Sequence, residues 1–314
     1  MFIPRLPDDQ DNNYQGLARA MAGEYDAYSK RVRRMIEPLK PALHPGFADD
    51  VLISSEHLSS GKFRPFLSAF AKYIDAMGFR KIAVLVIRDQ ISWLNSRIAQ
   101  KRKMIHETDL PFKGQIETMM SEGEGDWQNL CQTLVTCGFE LFVRPNNKSY
   151  NERGAVHSIF ATPPIKPYAS LVKIPEPKIF NKSFGAKQQI LADLVRDYVA
   201  GTLGLPTFKI DRHALRKIIA DEFSGRMDDM TYNGFDPEFR DKVTEHYKAG
   251  NEWVAKTYFN KNWADIFPKE TLAERSPQVF TALSPQDQQR LRRLAENVID
   301  RATREGVFGA KSVR

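Results

Sequence analysis

Residues 82–87 read Ile-Ala-Val-Leu-Val-Ile, an unbroken run of six apolar side chains in a chain of 314 residues. A run of this length, rich in β-branched residues and ended abruptly by Arg88, is typical of a strand that is buried on both faces. Such strands belong to parallel sheets that carry helices on each side. The run therefore predicts a central strand of an α/β core.

The chain on either side of this run alternates between predicted strands and predicted helices. Two further apolar runs, at 51–53 and 139–143, predict strands. Apolar residues at helical spacing predict helices at 66–77, 90–104 and 127–136. Strands and helices in alternation indicate right-handed βαβ units. We expect a doubly wound α/β core over residues 48–145.

The rest of the chain is expected to add irregular and helical segments to this core. Residues 1–47 are polar and interrupted by prolines, and residues 146–186, rich in Pro, Asn and Lys, predict an extended loop. Residues 187–314 predict a helix-rich part. Helical patterns lie within it at 190–199, 237–259 and 284–306. We expect a single domain over residues 1–314, with a three-layer α/β fold and a mostly parallel sheet flanked by helices.

Net charge, cysteine and histidine content and the lengths of apolar runs exclude several classes of protein. The 46 Lys and Arg residues against 39 Asp and Glu give a formal net charge of +7, which favours an anionic partner without identifying it. Only Cys131 and Cys137 are present, which excludes a disulfide scaffold and a cysteine-based zinc site. The histidines lack metal-ligand spacing, so we expect no metal. No apolar window spans a membrane and residues 1–11 lack signal-peptide character, so we expect a cytoplasmic protein.

Polar side chains follow the central strand at the end where open parallel sheets bind ligands. Arg88 comes directly after the strand, and Ser96 stands eight residues later on the next predicted helix. An arginine there can contact a phosphate with two N–H groups, and the helix N-terminus adds backbone donors. A hydroxyl about two turns into that helix can donate to the same anion. The alternative is an Arg88 that is solvated or salt-bridged.

Residues 87–96, Ile-Arg-Asp-Gln-Ile-Ser-Trp-Leu-Asn-Ser, resemble the 3′-phosphate-binding motif of sulfotransferases that use 3′-phosphoadenylyl sulfate (PAPS). In that family the motif is a strand, R-[DN]-P, an apolar helix start, and a serine eight residues after the arginine. The resemblance implies that Arg88 and Ser96 hold the 3′-phosphate of the anionic nucleotide cosubstrate. Gln90 stands in place of the usual proline.

Three further segments resemble the bacterial sulfotransferase-like branch of this family. They are 51–57 (VLISSEH), 142–145 (FVRP) and 251–259 (NEWVAKTYF). The likeness covers residues 45–270 and implies a fold of the P-loop nucleoside-triphosphatase type. It further implies transfer of a sulfuryl group from PAPS to a hydroxyl of a carbohydrate or small-molecule acceptor.

The same resemblance implies the base of the reaction. Glu56 ends the first predicted strand, where glycan sulfotransferases place a glutamate that deprotonates the acceptor hydroxyl. His57 is the substitute base, because a histidine does this in the cytosolic small-molecule branch. The alternative interpretation is that Glu56 is a helix-capping or loop carboxylate and that His57 is merely exposed.

Three cationic residues are weaker candidates for substrate binding. Arg97 and Lys101 lie on the helix that carries Ser96, in a run that continues with Arg102 and Lys103. The run could guide an anionic glycan or nucleotide, but the pattern favours a solvated helix face. Arg144, at the end of the strand 139–143, could reach the same cleft at the carboxyl end of the sheet.

One part of the family pattern is not found in the sequence. Relatives open with a strand and a loop, K-[ST]-G-[ST]-[ST], which wraps the 5′-phosphosulfate, whereas residues 1–4 here resemble the stretch after their first helix. We expect either that the sequence starts after this loop or that this member has lost it. Loss predicts a non-catalytic nucleotide- or glycan-binding relative. A nucleic-acid partner is a third hypothesis, against which the mixed charges of residues 284–306 argue.

Overall fold

The structure, a computed structural model, describes residues 64–76, 78–105, 110–147, 155–169, 183–205, 210–268 and 274–308. In these stretches the chain forms ten α-helices, two β-strands and two short 3-10 helices. The α-helices are α1 (Arg64–Ala76), α2 (Gln90–Lys103), α3 (Phe112–Ser121), α4 (Trp127–Thr136), α5 (Ala155–Phe160), α6 (Ala186–Gly201), α7 (Arg212–Phe223), α8 (Pro237–Phe259), α9 (Trp263–Ile266) and α10 (Pro285–Arg304). The strands are β1 (Ile82–Ile87) and β2 (Glu140–Pro145), and the 3-10 helices are Lys166–Tyr168 and Phe280–Ala282.

The two strands form the parallel pair that the apolar run predicts. Ile82 lies opposite Glu140 and Ile87 lies opposite Pro145. Burial increases along both strands toward their carboxyl ends, where Ile87 is completely buried. Ile82 is 37 % exposed. Leu85 and Ile87, on one face of β1, are buried, whereas Val84 and Val86, on the face that carries Ile82, are only partly buried. The expected burial on both faces is therefore wrong, because only one face is fully covered by the rest of the protein.

The chain divides into two compact units, and each takes its residues from three stretches. Unit 1 consists of residues 1–89, 118–178 and 245–268, and it contains the sheet. Within it, α4 begins at an N-cap, Asp126, whose carboxylate accepts a hydrogen bond from the Asn129 N–H. The helix ends before Gly138, whose φ of +78° fits the left-handed conformation that glycine adopts readily. The turn returns the chain directly into β2.

Unit 2 consists of residues 90–117, 179–244 and 269–314. Its core lies among α6, α7 and α10, which pack against one another. Each presents an apolar stripe at spacings of three and four residues, as Leu291, Leu294 and Val298 do on α10. Ser284 caps α10 by accepting the Asp287 N–H at 3.2 Å, and Pro285 follows as its first helical residue.

Most predicted helices are confirmed and one predicted loop is wrong in part. The bounds of α2, α4 and α8 match the apolar patterns that predict them. Residues 146–186, predicted to be extended, contain α5 and the first 3-10 helix. Three further helices, α3, α7 and the four-residue α9, were not predicted. For α7 a signal exists, since Asp211 caps the helix through the His213 and Ala214 N–H groups.

The described chain is therefore a helix-rich mixed α/β protein with a small parallel sheet. Helices supply the greater part of the described residues of both units. Within the described stretches, no helix combines the length and the apolar character that crossing a membrane requires.

Candidate anion-binding residues

Two candidate residues of unit 1 lie at the carboxyl edge of the sheet. The strand pairing continues one step past β1, because the backbone N–H of Asn146 donates to the carbonyl of Ile87 at 2.7 Å. Arg88 therefore lies beside Asn146. Val86 lies opposite Arg144, so these two residues share a face of the sheet, and Arg88 follows just beyond the end of β1.

The backbone of Arg88 is held from α4. The Trp127 indole N–H donates to the Arg88 carbonyl at 2.9 Å, and Trp127 is buried in unit 1. The Arg88 residue itself is exposed. An exposed arginine with a fixed backbone is a residue type that binds phosphate or carboxylate in a bidentate way.

Asn147, which follows β2, and Arg144, within it, differ in their hydrogen bonds. The Asn147 side-chain amide donates to the carbonyl of Ile266, at the end of α9. Arg144 is partly buried, and its Nε atom is buried without a hydrogen-bond partner. Asn147 is therefore structural, whereas Arg144 keeps unused hydrogen-bonding capacity.

The serine of the predicted phosphate motif lies in unit 2, on α2. Ser96 is exposed, on the side of the helix away from Ile91, Leu94 and Ile98, which are buried as predicted. Arg88 belongs to unit 1 and Ser96 to unit 2. Each is accessible on its own unit, and their convergence on one phosphate stays a prediction.

Arg97 and Lys101 follow Ser96 on the same helix, and both are partly buried. The Arg97 guanidinium lies 5.7 Å from the ring centroid of Trp93, one turn earlier, in a cation–π contact. Its Nε atom is buried without a hydrogen-bond partner. The positive charge beside Ser96 is therefore held partly against an aromatic ring, and a role for Arg97 and Lys101 in binding substrate stays a prediction.

The expected solvated face of α2 is wrong for Arg102. This residue is 7 % exposed, and its guanidinium pairs with the carboxylate of Asp193 on α6, with Nε and Oδ2 3.0 Å apart. It also donates to the carbonyl of Gln278 at 3.0 Å. The Tyr232 ring centroid lies 5.2 Å from the guanidinium. Arg102 is thus a structural residue whose partner lies 91 positions away.

The polar groups around Arg102 form a closed network. The Tyr232 hydroxyl donates to the side-chain oxygen of Gln278 at 2.7 Å, and Arg196 donates to Asp193 at 2.8 Å. Burial works to lower the pKa of Arg102, but the paired carboxylate outweighs it, so that this pKa is raised. Burial also raises the pKa of Tyr232. Both groups keep their ordinary protonation state near neutral pH.

The expected solvation is also wrong for Lys103, which is 4 % exposed. Its ammonium lies 5.6 Å from the ring centroid of Phe184. Burial, with a smaller contribution from the positive charge of Arg216, lowers the pKa of Lys103. Both buried cations lie in the last turn of α2. This helix packs against α6, and these two side chains are not exposed to solvent.

The predicted bases cannot be placed. Glu56 and His57, with the whole of residues 51–57, lie outside the described residues. Their assignment as bases stays a prediction. In the described stretches, no group of three or more His, Cys, Asp or Glu side chains is arranged to hold a metal ion.

The described candidates supply positive charge and hydrogen-bond donors, which is the chemistry of oxyanion binding. No family model, no curated protein and no solved structure matches this chain. The function is therefore argued from these residues and from the motif that carries them.

Proposed function

We propose that this protein transfers a sulfuryl group from PAPS to a hydroxyl of a carbohydrate or related acceptor. In this proposal, residues 1–314 form one three-layer domain of the P-loop type, of which β1 and β2 are two strands. Arg88 and Ser96 hold the 3′-phosphate of the nucleotide. The resemblance to bacterial PAPS-dependent sulfotransferases supplies the reaction, and the protein works in the cytoplasm.

The observation that carries the proposal is the setting of Arg88. This residue is exposed directly beyond the carboxyl end of a parallel strand, and its carbonyl is tied to the Trp127 indole at 2.9 Å. Ligands of open parallel sheets bind at this end of the strands. Ser96 is exposed on the helix that follows β1, at the spacing that the motif requires. Both side chains carry hydrogen-bond donors, N–H groups on arginine and O–H on serine, which is the chemistry that a phosphate needs.

The remaining roles follow from the proposed reaction. The Glu56 carboxylate takes the proton of the acceptor hydroxyl, and His57 is the substitute base. The hydroxyl oxygen then bonds to sulfur while the bond from sulfur to the phosphate oxygen breaks, which releases adenosine 3′,5′-bisphosphate. Arg97, Lys101 and Arg144 orient anionic groups of the acceptor or the nucleotide. No metal takes part in this scheme.

A second candidate function is binding of a nucleotide or glycan without transfer. The observation that favours it is the absence of K-[ST]-G-[ST]-[ST] from the 314 residues. Sulfuryl transfer needs donors fixed around the charge that develops on the phosphosulfate, and that loop supplies them in the family. A chain without such donors would retain the 3′-phosphate site alone.

Calorimetric titration with adenosine 3′,5′-bisphosphate tests the nucleotide site. We expect Arg88→Ala to weaken binding by about 2 kcal/mol, or roughly 30-fold, because a charge-assisted bidentate contact is lost. We expect Ser96→Ala to weaken it by about 1 kcal/mol. Arg80→Ala and Ser68→Ala are matched controls at exposed positions, at the other end of β1 and on α1, and should bind as the unmodified protein does. Equal affinity in Arg88→Ala and Arg80→Ala would reject the site.

Transfer is measured separately, with 35S-labelled PAPS and with dextran and chondroitin as hydroxyl-bearing acceptors. Label that enters glycan in the unmodified protein, and that is lost in Glu56→Gln while nucleotide binding persists, supports the sulfotransferase. Nucleotide binding without label in either glycan supports the binding-only alternative. A protein that neither binds the nucleotide nor transfers label to glycan would reject both candidate functions.

A further inference from the structure

Asn233 and Gly234 form the only Asn-Gly pair in the 314 residues. An Asn-Gly pair is especially prone to deamidation, because glycine has no side chain to hinder attack by its backbone nitrogen on the asparagine before it. The nitrogen bonds to Cγ of the asparagine, the amide leaves as ammonia, and a cyclic succinimide results. Water then opens the ring to aspartate or to isoaspartate, in which the backbone runs through the former side-chain carbonyl.

The glycine of this pair is required by packing. A Cβ atom at position 234 would overlap the ring of Phe112, which is itself buried. A larger residue therefore cannot replace Gly234 without displacing that ring. The reactive pair is kept for this reason, and its stability depends on the contacts that surround it.

Hydrogen bonds hold both reacting groups. The Gly234 N–H, which must lose its proton as the nitrogen attacks, donates to Oδ1 of Asn95 on α2 at 3.0 Å. The Asn233 side-chain oxygen accepts the Phe235 N–H at 3.1 Å, which restrains the carbon under attack. Asn233 is only 4 % exposed. Because ring closure needs the nitrogen and Cγ to meet in a defined geometry, both hydrogen bonds oppose it.

The segment around Asn233 is also tied to other parts of unit 2. Asn95 Nδ2 donates to the carbonyl of Tyr232 at 2.8 Å, so one side chain bonds the residues on both sides of Asn233. The Asn233 N–H donates to Oγ of Ser276 at 2.8 Å, and its carbonyl accepts the Ser276 N–H at 3.0 Å. Of these contacts, the one between Gly234 and Asn95 engages the attacking nitrogen.

We propose that Asn233 is a latent site of succinimide formation and that Asn95 holds the reaction off. When residues 232–235 open locally and leave α2, Asn233 converts to aspartate or isoaspartate. Either product places a new carboxylate where the folded protein has a buried neutral amide, which disfavours return to the closed arrangement. The site is therefore a one-way conformational switch within unit 2, and it does not depend on the proposed transfer.

Peptide mapping by mass spectrometry, on full-length protein incubated at mildly alkaline pH, tests this proposal. We expect slow deamidation at Asn233 in the unmodified protein and deamidation about 10-fold faster in Asn95→Ala, which corresponds to ~1.4 kcal/mol. Asn95→Asp keeps an oxygen that accepts the Gly234 N–H and should stay near the unmodified rate. Gln100→Ala removes an exposed amide from the same helix and is the matched control. Equal rates in Asn95→Ala and Gln100→Ala would overturn the proposal.

The products identify the chemical route. A succinimide opens to two isomers, so we expect peptides with isoaspartate and with aspartate at position 233, which chromatography separates. Aspartate alone would indicate direct hydrolysis of the amide and would overturn the proposal. Protein unfolded in urea should deamidate faster at Asn233 than folded protein, because every restraint is removed. An unfolded chain that reacts no faster would show that the fold does not protect this residue.

Hydrogen exchange separates local release of the segment from general unfolding. In Asn95→Ala we expect amide protection to fall in residues 232–235 and to persist at Leu291, Leu294 and Val298, in the buried stripe of α10. Loss of protection in both places would assign the faster deamidation to unfolding of unit 2 and overturn the specific role of Asn95.

Discussion

Two regions of the molecule contain partly or fully buried arginines. The two arginines differ in whether the protein supplies hydrogen-bond partners for the guanidinium. In unit 2, Arg102 is 7 % exposed and its guanidinium contacts a carboxylate, a backbone carbonyl and an aromatic ring. At the sheet edge of unit 1, Arg144 keeps a buried Nε–H without a hydrogen bond. One arginine is satisfied by the protein and the other is not.

This difference distinguishes a charge that stabilises the fold from a charge that is a candidate for function. A buried ion pair whose hydrogen bonds are all made contributes to the uniqueness of the fold, and breaking it leaves a charge without a partner. A buried donor without a partner costs stability and gains from a ligand. The predictions below therefore place the largest losses of stability around Arg102 and little change in stability at Arg144.

The largest expected loss of stability is in Asp193→Ala. This substitution leaves the buried Arg102 without its counterion, and we expect the free energy of unfolding to fall by about 2 kcal/mol, as urea denaturation would measure. Asp197→Ala is the matched control on the same helix, since Asp197 is 66 % exposed and pairs with Arg196 at the surface. Its effect should stay below about 0.5 kcal/mol. Equal losses in the two variants would contradict a structural role for Arg102.

A smaller loss is expected from Tyr232→Phe. The ring is kept, but the hydroxyl that donates to Gln278 at 2.7 Å is removed, and a partly buried acceptor loses its partner. We expect the free energy of unfolding to fall by about 1 kcal/mol. Tyr198→Phe, at a partly buried tyrosine on α6, serves as the control. A Tyr232→Phe protein as stable as the control would show that the network is dispensable.

The third prediction concerns acid stability in unit 2. A hydrogen bond from the Phe239 N–H, together with the ammonium of Lys113 at 3.0 Å and the charge of Arg275, lowers the pKa of Asp236. A carboxyl group with a lowered folded pKa stabilises the protein above its unfolded pKa of about 3.9, and this contribution is lost as the pH falls through the folded pKa.

Urea midpoints measured from pH 6 down to pH 3 should therefore fall less steeply in Asp236→Asn than in the unmodified protein. Asp241→Asn, at an exposed position on α8, should follow the unmodified protein. Parallel curves for all three proteins would show that Asp236 does not contribute to the acid side of the profile.

The smallest change in stability is expected from Arg144→Met. Because no described carboxylate pairs with Arg144, removing its charge leaves no partner behind, and the apolar stem is largely retained. We expect the free energy of unfolding to change by less than about 0.5 kcal/mol or to rise slightly. A loss as large as that in Asp193→Ala would show that Arg144 is a structural residue and would break the comparison.

The sequence predicts the local elements of this fold well. The six-residue run of β1 and the apolar spacing of α2, α4 and α8 are visible in the sequence, and the structure has these elements with nearly the same bounds. The helix α3 was not predicted, because Pro111 and Gly114 favour a turn or loop there. The helix α5, of six residues, was not predicted, because the prolines and asparagines after residue 145 favour an extended loop.

The environment of the charged residues could not be predicted in the same way. The four cations on α2 have the same local pattern, but Arg102 is buried because Asp193 lies on another helix of unit 2, 91 positions away. The missing hydrogen bond of the Arg144 Nε depends likewise on what packs around β2. Local periods fix secondary structure, whereas partners distant in the chain decide whether a charge is structural or available to a ligand.

The division of the chain between the two units constrains how the protein is made. Unit 1 is complete only when residues 245–268 have been synthesised, and by then residues 90–117 and 179–244 of unit 2 have already been added. Unit 2 in turn is complete only when residues 269–314 have been synthesised. The nascent chain therefore cannot finish one unit before it begins the other, and both reach their final contacts only late in translation. For the same reason, neither unit can be produced as a single continuous fragment by shortening the gene.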